Sequence, residues 1–331
     1  MEHSPDLLNV NNLSTYFFSR EGMLKAVDGV SFTVRRGETL GIAGESGCGK
    51  SVMAQSILRI VPANGRIVDG EILLHRNDET IDLVKLDWKG PAIRDIRGGV
   101  ISMVFQEPMT SFSMNYTIGN QIMEVIRLHQ GCDQKTARER TIEILRKVGL
   151  PKPEQTIDAY PFALSGGMRQ RAMIAMALAC QPSLLIADEP TTALDVTIQA
   201  QVLALMQQLQ HELGMALIVI THDLAVISEL CDRVLIMYLG LDVESAPADE
   251  LFRNPKHPYT IGLLQSVPKL GAGKEQKIEA IEGTVPTPYE RAAGCPFHPR
   301  CPQVIPGICD VTLPPQITVG SEHKVRCHLY G

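Results

Sequence analysis

Thr39-Leu40-Gly41-Ile42-Ala43 runs directly into Gly44-Glu45-Ser46-Gly47-Cys48-Gly49-Lys50-Ser51, and from Val52 onward the chain reads as a helix. Strand, glycine-rich loop and helix, in that order, is the context in which a phosphate loop works. The glycines let consecutive backbone N–H groups point at one centre. Lys50 adds a positive charge near terminal phosphates, and Ser51 offers a hydroxyl to magnesium. The dipole of the following helix is aimed at the same anion. Cys48 reads as a small residue that fits the loop.

The segments on either side carry matching signals. Upstream, Leu7-Leu8-Asn9-Val10, Ala26-Val27 and Val30-Ser31-Phe32-Thr33-Val34 read as short strands ending at the Arg36-Gly37 turn. Downstream, the apolar run Leu184-Leu185-Ile186-Ala187 ends in Asp188-Glu189. A strand ending in two carboxylates can hold magnesium with the first and position an attacking water with the second. Further runs at Leu217-Ile218-Val219-Ile220 and Val234-Leu235-Ile236-Met237 alternate with helices, which indicates a parallel α/β core. Residues 118–150 switch to helical periodicity. There Ala137, Thr141, Ile144, Leu145 and Val148 recur at three- and four-residue steps, Asp133 is placed to cap, and Gly149 to terminate. After about residue 250 the texture becomes proline-rich with little periodicity, as in Val285-Pro286-Thr287-Pro288, and reads as an appended C-terminal domain. No long internal repeat occurs.

Bulk properties narrow the function classes. A chain of 331 residues exceeds what one hydrophobic core usually serves, and 44% hydrophobic with 21% charged residues is a folded composition. The net charge of −6 supplies no global field for nucleic acid or anionic lipid, so phosphate chemistry must use locally arranged donors. No stretch approaches the roughly 20 apolar residues that span a bilayer. The opening Met-Glu-His-Ser-Pro-Asp lacks the basic and apolar regions of a signal peptide, so a cytoplasmic location without disulfides is expected. Eight cysteines are present, and four of them fall in the last 37 residues.

Two elements complete the pattern: Leu164-Ser165-Gly166-Gly167-Met168 heads an apolar helix, and His222 stands just after the strand ending at Ile220. With these motifs in order, the sequence resembles the ABC ATPase family over roughly residues 6–245. The resemblance implies an α/β fold: a RecA-like P-loop core with an antiparallel β subdomain, a helical subdomain at about 108–165, and a small C-terminal cysteine-containing domain. The nucleotide-binding domain is expected over 6–250 and the C-terminal domain over 251–331. ATP and Mg2+ are the implied ligands. Gly44, Glu45, Ser46, Gly47, Cys48, Gly49, Lys50, Ser51 and Val52 then bind ATP, and Phe17 lies where the family sets an aromatic ring against adenine, with Tyr16 and Phe18 leaving the choice open. Ser51, Gln106 and Asp188 correspond to the magnesium site. Glu189 corresponds to the catalytic base, His222 to the switch histidine at the γ-phosphate, and Gln106 to the glutamine that senses that phosphate and connects to the membrane partner. A helix beginning Ser165-Gly166-Gly167-Met168 is an anion-binding end without an anion in its own cassette; in the family it closes on a partner's ATP, with Ala193-Leu194-Asp195 as the loop at the dimer centre.

Within the family, repair ATPases insert long coiled coils between phosphate loop and signature, and translation factors carry two cassettes; neither pattern is present, which leaves a transport motor over a soluble non-transport ATPase. Asn254-Pro255-Lys256-His257-Pro258-Tyr259-Thr260 with Leu263-Leu264, Met168 and the segment Glu107-Pro108-Met109-Thr110-Ser111 resemble the D-type ATP-binding subunit of dipeptide, oligopeptide and nickel importers. Phe112-Ser113-Met114-Asn115-Tyr116 departs from the leucine-asparagine-proline pattern common there. The implied partners are two transmembrane permeases, a second ABC ATPase that is either a homologue or another copy, and an extracytoplasmic substrate-binding protein, with no nucleic acid. The implied place is the cytoplasmic face of the membrane, as a peripheral subunit. Peptides are the expected cargo, with nickel, glutathione or oligosaccharides as alternatives.

Cys295, Cys301, Cys309 and Cys327 follow one another at intervals of six, eight and eighteen positions, which is no zinc-ribbon spacing. Four thiolates suit tetrahedral zinc or an iron–sulfur cube, His298, His323 and His328 are alternative ligands, and four buried free cysteines are the plain reading. The resemblance favours a [4Fe–4S] cluster over Zn2+, acting as a staple for a segment with little apolar content.

Overall fold

The computed structural model describes residues 5–20, 22–77, 79–106, 111–191, 195–266, 281–286 and 291–331. In chain order its elements are β1 (Asp6–Ser19), β2 (Gly22–Arg35), β3 (Thr39–Ala43), α1 (Lys50–Ile57), β4 (Gly65–Arg76), β5 (Glu79–Asp82), α2 (Pro91–Ile96), β6 (Ile101–Val104), α3 (Ile118–Gln130), α4 (Gln134–Lys147), α5 (Pro153–Thr156) and α6 (Gly166–Leu178). They continue with β7 (Leu184–Asp188), α7 (Val196–Leu213), β8 (Ala216–Ile220), α8 (Leu224–Leu230), β9 (Arg233–Tyr238), β10 (Leu241–Pro247), α9 (Ala248–Arg253), α10 (Pro258–Gln265), β11 (Gln316–Gly320) and β12 (His323–Arg326). They fall into two compact units: Met1–Leu7, Val34–Thr39 and Lys85–Ile220 in the first, and Leu8–Thr33, Leu40–Val84 and Thr221–Gly331 in the second.

In the first unit β7 pairs in parallel with β6 on one side and β8 on the other, Ile186 standing opposite Met103 and Ile218. Every residue of these strands is buried. Burial on both faces explains why the sequence reads there as continuous apolar runs. The helices form where the periodicity placed them. Asp133 caps α4 by accepting the Thr136 N–H at 2.8 Å, while Ala137, Thr141, Ile144 and Leu145 line its buried face. Gly149 leaves the helix in the left-handed conformation, φ 71°. Ser165 caps α6, its hydroxyl accepting the Met168 N–H at 3.3 Å.

The second unit contains an antiparallel sheet in the order β2-β1-β4-β5. The strands read as short pieces from the sequence are in fact two 14-residue strands, β1 and β2. The ladder between β1 and β4 continues through Asn11 and Ser14 by register shifts, so the apolar alternation breaks while the pairing does not. A second set of strands runs β11-β12-β10-β9-β3, with β3 parallel to β9 and the other pairs antiparallel. Among its described residues the proline-rich tail, aperiodic as a sequence, thus supplies α10, β11 and β12, and β12 pairs directly with β10.

Buried charge fastens the tail. The carboxylate of Glu244, on β10, accepts the backbone N–H groups of Lys256 at 2.7 Å and His257 at 2.9 Å, and its Oε1 lies 2.8 Å from Nε2 of His323 on β12. These bonds hold the Lys256-His257-Pro258-Tyr259 turn against the sheet. Burial lowers the pKa of His257 to about 4, so the ring is neutral and its Nδ1 accepts the Tyr259 N–H at 3.1 Å, capping α10. Removing the carboxylate strands buried donors. Glu244→Ala is therefore expected to destabilise the chain by about 3 kcal/mol, read as a lowered midpoint in urea denaturation.

Candidate functional site

The phosphate loop leaves β3 at Gly44 and enters α1 at Lys50, two residues before the helix start read from the sequence. Two glycines are obligatory for geometric reasons. Gly44 (φ 153°) and Gly49 (φ 104°) adopt backbone conformations that side chains rarely tolerate, and a Cβ on either would run into a carbonyl oxygen, that of Met237 or Ala26. Lys50 is buried and curls back over the loop. Its Nζ donates to the carbonyl oxygens of Gly44 at 2.6 Å and Glu45 at 3.0 Å. Cys48 is buried too, and burial pushes its thiol pKa up against the opposing pull of Lys50, which keeps it a filler of space. Its carbonyl oxygen accepts the Gly240 N–H at 2.9 Å.

The three aromatics of β1 are sorted by the pleat. The Tyr16 hydroxyl donates to Asp28, and burial followed by the Asp28 carboxylate pushes its pKa up to about 12. Phe17 stands opposite Gly65 in the ladder with its ring over that glycine. Phe18 is exposed beneath the Arg66 guanidinium, 4.3 Å from the ring centroid. His222 also lies in this unit, after Thr221, whose N–H donates to the Ile42 carbonyl at 3.2 Å.

The first unit carries the carboxylates. Asp188 ends β7 and is buried, and Glu189 follows with φ 46°, a left-handed residue at the strand's end. Gln106 Nε2 donates to Glu189 Oε2 at 2.9 Å, bringing together two of the residues read as catalytic although 83 positions separate them. Ser165, Gly166, Gly167 and Met168 form the N-terminus of α6, and the Asp195 carboxylate accepts the Ile198 N–H at 3.0 Å to cap α7. Ala193 and Leu194 lie outside the described residues, as do Glu107, Pro108, Met109 and Thr110.

Of the four tail cysteines, Cys295, Cys309 and Cys327 are buried and Cys301 is half-buried, all as free thiols. Burial pushes the Cys295 pKa up to about 11, and the neighbouring thiols of Cys327, Cys309 and Cys301 add to the shift. Four thiols that sense one another are the right donors for a soft metal or an iron–sulfur group. Among the described residues, however, no three Cys, His, Asp or Glu side chains are arranged to hold a metal ion, so the donor chemistry fits while the side-chain geometry does not. The three histidines are engaged with oxygen atoms instead: His298 Nδ1 with the Cys295 carbonyl at 2.9 Å, His323 Nε2 with Glu244 at 2.8 Å, and His328 Nε2 with the Thr312 carbonyl at 2.9 Å. Among the described residues no helix is long and apolar enough to cross a membrane.

The sequence reading did not find Tyr259 and Arg300 as neighbours of the phosphate loop. The Glu45 N–H donates to Tyr259 Oη at 2.8 Å, and both carboxylate oxygens of Glu45 accept from Arg300, at 2.7 and 3.1 Å. No pattern in the sequence links positions 255 residues apart.

The family model described as "ABC transporter" matches residues 27–192, and that described as "Oligopeptide/dipeptide transporter, C-terminal region" matches residues 243–309. The oligopeptide transport ATP-binding protein AppD of Bacillus subtilis is 50% identical over 98% of this chain and 97% of its own length. The dipeptide transport ATP-binding protein DppD of Haemophilus influenzae is 48% identical over 97% and 95%. Among solved structures, the dimeric post-hydrolysis ATP-binding cassette MJ0796 bound to ADP and Pi superposes with a TM-score of 0.64 at 26% identity, covering 73% of this chain and 99% of that one. The CbiO1 structure from Clostridium perfringens superposes with a TM-score of 0.63 at 27% identity, over 76% and 92%.

The two kinds of loop glycine separate experimentally. Gly47 is left-handed (φ 79°) with nothing within 4 Å of an added Cβ, so Gly47→Ala carries backbone strain alone, about 1 kcal/mol. Gly49→Ala adds a collision with backbone and is expected to cost more than about 2 kcal/mol. Denaturant midpoints of the two variants check the order.

Proposed function

The chain belongs to the ABC transporter ATP-binding family of the oligopeptide/dipeptide type, and we propose on that premise that it is the ATP-hydrolysing subunit of a peptide importer. The observation that carries the proposal is the phosphate loop Gly44–Ser51, wound around the Lys50 ammonium at the mouth of β3 and the start of α1. The separate family matches over 27–192 and 243–309 support a division into two regions, which we propose as a nucleotide-binding one over 6–250, containing a helical subdomain at about 108–165, and a C-terminal one over 251–331.

In this reading Gly44, Glu45, Ser46, Gly47, Cys48, Gly49, Lys50, Ser51 and Val52 bind the phosphates of ATP, and Phe17 takes the adenine. Lys50 exchanges the loop carbonyls it now holds for phosphate oxygens. Ser51, Gln106 and Asp188 offer the hydroxyl, amide and carboxylate oxygens that a hard cation accepts, and bound Mg2+ would neutralise charge developing on the phosphates. Glu189 accepts the proton of the attacking water. Its bond to Gln106 orients the carboxylate, and His222 contacts the γ-phosphate. Ser165, Gly166, Gly167 and Met168 direct the N-terminus of α6 at the nucleotide of a second cassette, and the loop of Ala193, Leu194 and Asp195 lies at the contact between the two.

Two membrane permeases, a second ABC ATPase and an extracytoplasmic binding protein complete the proposed assembly, with this chain peripheral at the cytoplasmic face. The names of the relatives favour peptides as cargo. For the tail, Cys295, Cys301, Cys309 and Cys327 are the proposed ligands of a [4Fe–4S] cluster with a structural role, Zn2+ being the alternative; the donor chemistry of four free thiols is what supports it.

Two measurements test this. Glu189→Gln is expected to keep ATP binding and lower turnover at least about 100-fold, measured in a complex whose second cassette carries the same change; undiminished hydrolysis there overturns the base assignment. Protein purified without oxygen is expected to contain iron and acid-labile sulfide in equal amounts. Zinc alone selects the alternative, and neither metal refutes both.

A further inference from the structure

Within the second unit the C-terminal segment grips the phosphate loop directly. Arg300 precedes Cys301 on a 3-10 turn, and its side chain is only 5% exposed. Its two Nη atoms take both oxygens of Glu45, the second residue of the loop, and its Nε donates to the Glu282 carbonyl at 3.1 Å. A bidentate guanidinium–carboxylate pair fixes orientation as well as distance. Tyr259, fully buried, holds the same residue from the backbone side by accepting the Glu45 N–H. Tyr259 and Arg300 are in turn braced by Phe297 and Tyr238: the rings of Tyr259 and Phe297 lie 5.4 Å apart, and those of Tyr259 and Tyr238 4.6 Å.

A second grip acts on the strand that bears Phe17. Arg291 Nη1 lies 2.8 Å from Asp28 Oδ2, and Asp28 also receives the hydroxyl of Tyr16, the residue before Phe17. The Asp28 N–H donates to the Gly240 carbonyl, and the Gly240 N–H to the Cys48 carbonyl inside the loop. Arg291 and Arg300 thus act on residues beside the proposed adenine position and within the proposed phosphate position.

Charge gives this arrangement a consequence for binding. Glu45 places a carboxylate in a loop that must attract a triphosphate, and Arg300 offsets that charge while fixing the side chain, as Tyr259 fixes the backbone N–H. We propose that Arg300 and Tyr259 are positioning residues for nucleotide binding, through which the C-terminal segment sets the ATP affinity of the phosphate loop. The proposal rests on the ATP-binding reading above. A loop already held in its binding shape loses less freedom when phosphate arrives.

The test is calorimetric titration of the full chain with a non-hydrolysable ATP analogue and Mg2+. Arg300→Met is expected to weaken binding about tenfold, because the loop is released and the Glu45 charge is exposed to the phosphates. Arg300→Lys should recover part of the loss, and Glu45→Gln added to Arg300→Met should bring affinity back to within about threefold of the parent. A purely structural role for Arg300 would give no such rescue by removing the opposing charge. Affinity of folded Arg300→Met within twofold of the parent overturns the proposal, as does a double variant no better than the single. Should Arg300→Met fail to fold, Tyr259→Phe removes only the hydroxyl that holds the Glu45 N–H; about threefold weaker binding is expected, and unchanged affinity overturns the proposal. Absence of binding by the parent chain would instead refute the ATP reading itself.

Discussion

Between β3 and α1 the backbone must reverse in a space already filled by main chain, with carbonyl oxygens of Met237 and Ala26 at the positions where side chains would begin. That crowding decides what can follow. It demands glycine at positions 44 and 49 and sets Lys50 at the first turn of a helix whose dipole reinforces its charge. The lysine is held meanwhile by the carbonyls of Gly44 and Glu45, so the loop keeps its shape by solvating its own cation.

The same economy governs the rest of the second unit, where buried carboxylates organise the tail. Glu244 gathers two backbone donors and a histidine, and Asp242 takes Arg326 at 2.8 Å and Gln316 at 2.8 Å. Burial raises the Asp242 pKa and Arg326 pulls it back. A segment with few large apolar side chains is thereby ordered through directional bonds to groups that have no water to turn to.

Much of this was legible in the sequence, and the limits follow from distance along the chain. The phosphate loop, the Asp188-Glu189 pair and the Asp133 cap are written in nearby residues, because local backbone geometry and helix ends impose local requirements. The length of β1 and β2 was hidden, since Asn11, Asn12 and Ser14 break the apolar alternation while register shifts carry the ladder across them. The tail strands are hidden for a similar reason: Thr318, Gly320 and Lys324 give no alternating apolar run, and it is pairing, of β11 with β12 and of β12 with β10, that makes strands of them. The Gln106–Glu189 bond was foreseeable only from the family resemblance. The Glu45–Arg300 pair was not foreseeable at all, because a salt bridge leaves no mark on the spacing of its partners.

The pairing of β12 with β10 also bears on how such a chain could have been assembled from parts. A cassette ending after β10 would expose that strand's unpaired backbone and leave Glu244 and Asp242 without the tail groups that bond to them. An open edge of that kind invites pairing with other chains. The C-terminal extension therefore supplies both the strand that covers the free side of β10 and the partners of two carboxylates buried there.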